Sequence, residues 1–384
     1  MKSCDKLRVL FSARDLGAAE VIAEVIKSAN NDSRFEVFVV AEGKALEWFL
    51  QNGLAAQGFL SQPIESSSDR ERDGLLAEAE QVLKCIMPDA IISGMSGPTI
   101  GVDEALIASA GSIATYVIQD YAGWVVNGFE CHAETYFVGD VEAKKITDSR
   151  YDVRTIVSGS PRYQKYSKLT PFIMRTDARH SLLKDNATTL IGFYGQSAWD
   201  IDGYWQTIDD LAEELCESEL DLAIMYRPHP AESTIEREKI LSRFRETGRL
   251  VILDPHDSVE MSLSVVDIVT TCFSSCGECQ INLSRASSAP LGSVIYLMHH
   301  ESLRDYHLVN TGVTMPLMAT AGIGLVTLQR DDLRKAIKKA SSLEFKNFAW
   351  ELGRHVLPDH EKSVDTILST VANDFFIRPE NDVY

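Results

Sequence analysis

Short apolar runs rich in β-branched residues alternate along this chain with segments whose apolar positions recur every three to four residues. That alternation predicts parallel strands joined by crossover helices. The first series predicts strands at Leu7–Ser12, Phe35–Ala41, Ala90–Ser93, Thr115–Gln119, Thr135–Val138 and Thr155–Ser158. Between them it predicts helices at Ala18–Ser28, Ala45–Asn52, Arg72–Cys85, Asp103–Ala110 and Val141–Asp148. A second series follows, with strands at Thr189–Tyr194, Leu222–Tyr226, Leu250–Leu253, Ile268–Thr271 and Ser293–Leu297. Its helices are expected at Trp205–Glu217, Ile235–Glu246, Ser258–Val265, Glu278–Ala286 and Asp331–Ser342. The polar stretch Lys165–Asn186 between the series reads as a linker, and Ser363–Phe376 as an amphipathic closing helix. The expected architecture is therefore α/β, with two Rossmann-like doubly wound domains facing across a cleft. The first spans 1–164, a linker 165–186, the second 187–350, and a C-terminal segment 351–384.

Composition narrows the function classes. The 384 residues suit two or three domains, and 45% hydrophobic with 24% charged residues is an ordinary globular balance. A net charge of −19 argues against nucleic acid or an anionic membrane as partner, since both are bound through Lys and Arg. The one dense basic group, Arg330, Arg334, Lys335, Lys338 and Lys339, reads as the polar face of a helix. No apolar stretch approaches the roughly 20 residues of a membrane helix. Met1–Asp5 lead straight into the first strand without a signal-peptide pattern, so a cytoplasmic protein is expected. Seven unevenly spaced cysteines fit a reducing compartment. Cys272, Cys276 and Cys279 share the C-x3-C-x2-C spacing of radical iron–sulfur enzymes, but only about a quarter of the chain follows them. They read as buried or helix-face residues.

Ligands of doubly wound sheets bind outside the carboxyl ends of the strands, so the strand-to-helix loops are where chemistry is expected. The first loop, Ser12-Ala13-Arg14-Asp15-Leu16-Gly17-Ala18, places one glycine before a helix N-terminus that favours an anion. Lacking a G-x-G-x-x-G pattern, it reads equally well as a plain helix start. Ser93-Gly94-Met95-Ser96-Gly97-Pro98 offers hydroxyls and backbone N–H groups, or is a structural turn. In Gln119-Asp120-Tyr121-Ala122-Gly123-Trp124 an acid at a strand end can take a proton from a hydroxyl, with aromatic walls for a sugar ring. Asp120 can also simply cap a turn. In the second half, Tyr226-Arg227-Pro228-His229-Pro230 fixes φ on both sides of an imidazole. The adjacent Arg227 has the geometry to fork onto phosphate or carboxylate oxygens. The run from Thr270 to Glu278 leads through Ser274 and Ser275 into a helix, a phosphate cradle of hydroxyls and N–H groups. Glu278 either accepts from sugar hydroxyls or serves the helix dipole. Gly195-Gln196-Ser197, after the first strand of the second series, can contact a diphosphate or form a turn.

Together these residues resemble the GT-B glycosyltransferases over most of the chain. Ser158-Gly159-Ser160-Pro161-Arg162-Tyr163 resembles the G-x-P-R segment that closes the first domain in many such proteins. Arg227-Pro228-His229-Pro230 with Ser274-Ser275 is similar to the paired His-Pro and Ser-Ser motifs of bacterial sialyltransferases and CDP-glycerol glycerophosphotransferases. UDP-N-acetylglucosamine 2-epimerases and lipid A disaccharide synthases share the architecture. Their resemblance stops short of the epimerase Ser-Gly-Gly loop, replaced here by Ser275-Cys276-Gly277. Where sialyltransferases carry an Asp-Gly motif, Gln119-Asp120-Tyr121 stands instead.

The resemblance implies a CMP-, CDP- or UDP-linked sugar donor, held mainly by the second domain through Arg227, Ser274, Ser275, Gly195, Gln196 and Ser197. Glu278 would meet ribose or sugar, and Arg14, Gly17, Ser96, Gly97, Tyr121 and Trp124 would form the acceptor side. His229 would assist the departing phosphate and Asp120 the attacking hydroxyl. The implied reaction is glycosyl transfer in cell-surface polysaccharide or glycoconjugate synthesis, without metal or cofactor. A nucleotide-sugar epimerase or hydrolase, a glycerophosphotransferase, and a non-catalytic binding protein remain open alternatives. The sequence leaves open the sugar, base, acceptor and oligomeric state, a homodimer included.

Overall fold

The computed structural model describes residues 6–64, 69–97, 99–126, 128–183 and 188–377. Pro98 and residues 184–186, which entered the loop and linker readings, lie outside them. Seven parallel strands form the first sheet: β1 (Leu7–Ala13), β2 (Phe35–Ala41), β3 (Gln57–Gly58), β4 (Ala90–Gly94), β5 (Ala114–Ile118), β6 (Thr135–Val138) and β7 (Arg154–Val157), in the order β3-β2-β1-β4-β5-β6-β7. The second sheet has β8 (Thr189–Tyr194), β9 (Leu222–Arg227), β10 (Leu250–Leu253), β11 (Ile268–Thr271), β12 (Ser293–Leu297) and β13 (Leu325–Thr327), in the order β10-β9-β8-β11-β12-β13. Each order reverses beside its first strand, the doubly wound switch point. Two compact units result, Met1–Lys165 with Pro358–Tyr384, and Tyr166–Leu357.

The central strands are buried on both faces, which is why they read as near-continuous apolar runs rather than alternating ones. Leu10 and Ile91 point to one side of the first sheet with Leu75, Ala79 and Leu106. Val9, Phe11 and Ile92 point to the other with Val21, Ile22 and Val25 of the helix Leu16–Asn30. The C-terminal helix Ser363–Ile377 completes that layer by burying Val364, Ile367, Leu368, Val371 and Ala372. Its Asp374 accepts from the Tyr116 hydroxyl (3.0 Å) and pairs with Arg154 (2.7 Å). Burial of such side chains contributes roughly 1.5–3 kcal/mol each.

The stretch expected as a linker contains a helix, Pro171–Leu182, that belongs to the second unit. Its polarity has a structural use. Arg175 and Arg179 reach the Asp267 carboxylate at 2.5 and 2.7 Å, joined there by Lys346 at 3.1 Å. They also donate to the carbonyls of Ser264, Val265 and Val266. Burial acts to raise the Asp267 pKa, but these three cations hold it below the ordinary carboxylate range.

Further elements lay outside the sequence expectation, among them β3, β13 and the helices Glu301–Thr311, Leu317–Thr320 and Leu343–Val356. Asp15, Asp140, Ser233, Ser258, Ser274 and Ser342 cap their helices through the side chain, as short polar residues do. The basic group at Arg330–Lys339 is engaged much as expected. Arg330 pairs with Asp210 and Glu213, and Arg334 with Glu214 and Glu217, all on the helix Tyr204–Glu217. Cys272 and Cys279 are buried, and burial pushes the Cys272 thiol well up. Among the described residues, no helix is long and apolar enough to cross a membrane.

Candidate functional site

Parallel pairing places the carboxyl ends of β8, β9 and β11 side by side on one edge of the second sheet. The loop after β8 is fastened at once, because Gly195 donates its N–H to the Arg227 carbonyl (3.0 Å). Gln196 is next, only 6% exposed. Its side-chain oxygen accepts from the Phe273 N–H (3.0 Å) and lies 3.2 Å from the Thr271 hydroxyl. That hydroxyl also meets the Tyr194 carbonyl (3.1 Å) and accepts from the Ser274 N–H (3.3 Å). Gln196 and Thr271 thus lock the loop after β11 to the loop after β8. The Gln196 amide nitrogen has no hydrogen-bond partner among the described residues. A buried donor left so costs about 1–3 kcal/mol.

The locked loop opens the twelve-residue helix Ser275–Ala286. Ser274 is its N-cap, accepting from the Cys276 N–H at 3.3 Å. Ser275 stands half-buried at the first position, and Glu278 half-buried in the first turn. The helix dipole favours an anion at this end, where the Cys276 and Gly277 N–H groups are already engaged by the Ser274 hydroxyl and carbonyl.

The loop after β9 brings His229 to the same neighbourhood. The backbone N of His229 lies 3.1 Å from where a Cβ on Gly195 would sit, and Glu232 would collide with that Cβ outright. Gly195 is therefore required by packing. His229 Nδ1 accepts from the Ala231 N–H (3.2 Å), so in the neutral ring the proton resides on Nε2. Trp199 lies edge-on to the imidazole, centroids 6.5 Å apart. Glu232, 7% exposed, accepts from the Tyr226 hydroxyl through one oxygen, while the other has no partner among the described residues. Burial raises its pKa above the ordinary glutamate value. Glu232 was not among the residues singled out from sequence.

Gly195, Gln196, His229 and Ser274 are thus brought together, with Ser275 and Glu278 on the adjoining helix. Arg227 departs from its expected role. Its guanidinium turns toward β10, binding Asp254 (2.6 Å) and the carbonyls of His256 (2.8 Å) and Asp257 (3.2 Å). It braces the loop from behind and has little left to fork onto a ligand. Ser197 is exposed on the loop after β8.

The first unit disposes its strand-end residues differently. Arg14 is buried, donating to Glu104 (3.1 Å) and to the carbonyls of Gly97 (2.9 Å) and Thr99 (2.5 Å), with Glu42 at 3.5 Å. Asp103 accepts from Ser12 (2.7 Å) and Ser96 (2.6 Å). Asp15 caps Ala18 N–H and accepts from Gly97 N–H, both at 2.8 Å. Arg14, Ser96 and Gly97 are therefore tied into scaffold. Burial, then the neighbouring acids, lift Asp103 to about 7, and burial lifts Glu42 to about 8.

Asp120 lies just beyond β5, held by Arg162 at 3.1 Å, and Arg162 also donates to the Gly17 carbonyl (3.0 Å). Burial raises the Asp120 pKa and Arg162 pulls it back, leaving it at about 6. Gly17 therefore touches Asp120, where a Cβ would come within 3.3 Å of the carboxylate. Tyr121 and Trp124 are half-buried on the same loop, whose turn is fixed by Gln119 donating to the Trp124 carbonyl (2.8 Å).

No family model matches the sequence, and no curated protein matches it either. Solved structures do match over the whole chain. An S. aureus MnaA–UDP complex is 14% identical, with a TM-score of 0.68 over 97% of each chain. The Neisseria meningitidis UDP-GlcNAc 2-epimerase bound to UDP-GlcNAc is 12% identical, with a TM-score of 0.66 over 95% of this chain and 99% of that one. Acinetobacter baumannii MurG is 12% identical, with a TM-score of 0.62 over 95% of this chain and 100% of that one. The fold is GT-B. A shared GT-B fold does not by itself carry a reaction, which must be argued from the site.

Proposed function

We propose that this chain is a nucleotide-sugar enzyme whose second unit holds the donor's phosphates on the loops after β8, β9 and β11. The observation carrying the reading is the buried Gln196 amide nitrogen. It is an unsatisfied donor fixed beside a serine-capped helix N-terminus, where a phosphate oxygen would satisfy it. Ser274, Ser275 and the helix dipole complete the anion site, and Glu278 is the acceptor for ribose or sugar hydroxyls. His229, its Nδ1 occupied by a backbone N–H, presents Nε2–H to the leaving phosphate. Full-length likeness to proteins described as binding UDP and UDP-GlcNAc supports a uridine nucleotide.

The reaction we favour is glycosyl transfer to a hydroxyl. Asp120 is the base in this reading. A pKa of about 6 leaves it ionised near neutrality yet a better proton acceptor than an ordinary aspartate. A second reading, epimerisation of the sugar on the nucleotide, draws on the likeness to UDP-GlcNAc 2-epimerases. The test is a melting-temperature screen against CMP, CDP, UDP, GDP and their sugars, followed by product analysis with the sugar that binds. A ligand confined to the folded state raises the midpoint with the logarithm of its concentration. Free nucleotide formed only with an acceptor identifies transfer; an altered sugar with no acceptor identifies epimerisation. His229→Ala should lower turnover on the order of 10²–10³-fold while leaving the fold intact. If no nucleotide shifts the midpoint, the phosphate-site assignment fails.

A further inference from the structure

Away from the loops assigned to phosphate, the end of β12 and the helix Tyr204–Glu217 bring together two imidazoles and a carboxylate. Asp210 Oδ2 lies 3.2 Å from His299 Nε2 and 3.4 Å from His300 Nε2, and the three atoms all lie within 4.8 Å of one another. Ligand atoms bonded at 2.0–2.1 Å to a tetrahedral ion stand about 3.3 Å apart, which the two separations from Asp210 Oδ2 match.

The surrounding contacts arrange the same three atoms. His299 Nδ1 lies 3.1 Å from the Thr327 hydroxyl, which in turn donates toward the Tyr296 carbonyl at 3.4 Å. The Thr327 hydroxyl, so engaged, can accept from His299 Nδ1–H, the tautomer that turns the Nε2 lone pair toward the carboxylate. The other oxygen of Asp210 is held by Arg330 Nε at 3.1 Å, which fixes the carboxylate for one-oxygen ligation. His300 is seated by Gly203, whose φ is +85°; a Cβ there would stand 2.7 Å from the His300 Cβ. Side-chain exposure rises from 2% at His299 through 11% at Asp210 to 23% at His300, so an ion can enter from the His300 side.

We propose that Asp210, His299 and His300 bind one divalent ion of the zinc class, with the fourth position left to solvent. Two imidazole nitrogens and one carboxylate oxygen form a borderline donor set that suits zinc better than magnesium or calcium. The ion clamps the loop after β12 onto the helix that follows β8. The site is independent of the nucleotide reading and stands or falls without it.

The test uses the full chain, stripped with a chelator and dialysed. It is titrated calorimetrically with Zn²⁺, and with Co²⁺, whose visible spectrum reports four-coordinate nitrogen–oxygen ligation. One equivalent of each should bind, and Zn²⁺ should raise the melting temperature in a chelator-reversible way. His300→Ala and Asp210→Asn should each weaken binding more than tenfold, and Thr327→Val, which removes the hydroxyl facing His299 Nδ1, by about tenfold. His300→Ala should melt, without metal, close to the parent chain. Absence of stoichiometric binding or of a reversible melting shift in the unmodified chain overturns the proposal, whatever the variants do. Binding that is indifferent to His300→Ala and Asp210→Asn overturns it as well.

Discussion

At the end of β1, Arg14 lies buried among Glu42, Asp103 and Glu104 in a network of ion pairs and hydrogen bonds, in which Arg14 Nε and one Glu42 oxygen lack a hydrogen bond among the described residues. At the end of β8, the corresponding strand of the second sheet, Gln196 and Glu232 each keep one buried polar atom without a partner among the described residues. The two sheets share their strand order around these positions. In one, charges neutralise each other and hold a loop. In the other, Gln196 and Thr271, neutral groups, fasten the loops, so its unsatisfied amide donor sits outside any network of opposite charges. Natural interiors rarely tolerate such groups without a reason. On the proposed reading the first cluster is scaffold and the second a receiver, and each half can be broken separately.

The largest expected effect is on the scaffold. Arg14→Met removes the only guanidinium inside the acidic cluster and leaves Glu104 and the loop carbonyls of Gly97 and Thr99 without their donor. Breaking a buried pair in this way costs about 3–5 kcal/mol. Urea unfolding of the variant should show that loss. A change under about 1 kcal/mol would mean the cluster is not what holds the loop. The reciprocal test is Gln196→Glu. It keeps an acceptor oxygen for the Phe273 N–H but replaces the unsatisfied amide with a second oxygen that repels phosphate. Affinity for the nucleotide found by melting screens should fall more than tenfold, with a smaller stability loss than Arg14→Met. Unchanged affinity would remove Gln196 from the receiver and with it the contrast.

How far all this could be read from the chain differs by region, for physical reasons. Strands such as Thr189–Tyr194 and Ser293–Leu297 were legible because a parallel sheet covered on both faces demands a near-continuous apolar run. The pair Gln57–Gly58 carries no such run and is a strand only through its pairing with Val40 and Ala41. The helix Pro171–Leu182 was hidden because its arginines are satisfied by Asp267, far along the sequence, and in isolation read as a solvated linker. His229 announced itself through two flanking prolines. Glu232 did not, because Ala231-Glu232-Ser233 is an ordinary polar turn until Tyr226 and Gly195 close over it. The sequence reading gave Arg227 a phosphate and the structure gives it Asp254; nothing local distinguishes an arginine that binds a ligand from one that braces a loop. Glu42, Asp103 and Glu104 fall at or near helix starts, where single carboxylates are usual, so their convergence on Arg14 was invisible.

The smallest expected effect sharpens the comparison through pH. Glu42 is lifted to about 8, chiefly by burial and then by the charge of Asp103, and Asp103 to about 7. In the unfolded chain both titrate in the ordinary carboxylate range, near pH 4. Between that range and about pH 8 the folded state holds protons that the unfolded state has released, so stability must fall as pH rises. The contribution is complete below the unfolded values and is lost by the time pH has passed the folded ones. Glu232 and Asp120 are shifted in the same direction, so the slope of the parent chain alone does not isolate the cluster. Glu42→Gln does. The variant cannot ionise at that position, so its melting temperature should fall less steeply between about pH 6 and pH 9. It should exceed the parent's at the alkaline end and converge with it only below about pH 4, where Glu42 is neutral in the folded and the unfolded chain alike. Parallel curves would show that Glu42 is charged in the folded chain. The cluster would then be an ordinary ion-pair network, and the two strand ends less different than their hydrogen bonds make them.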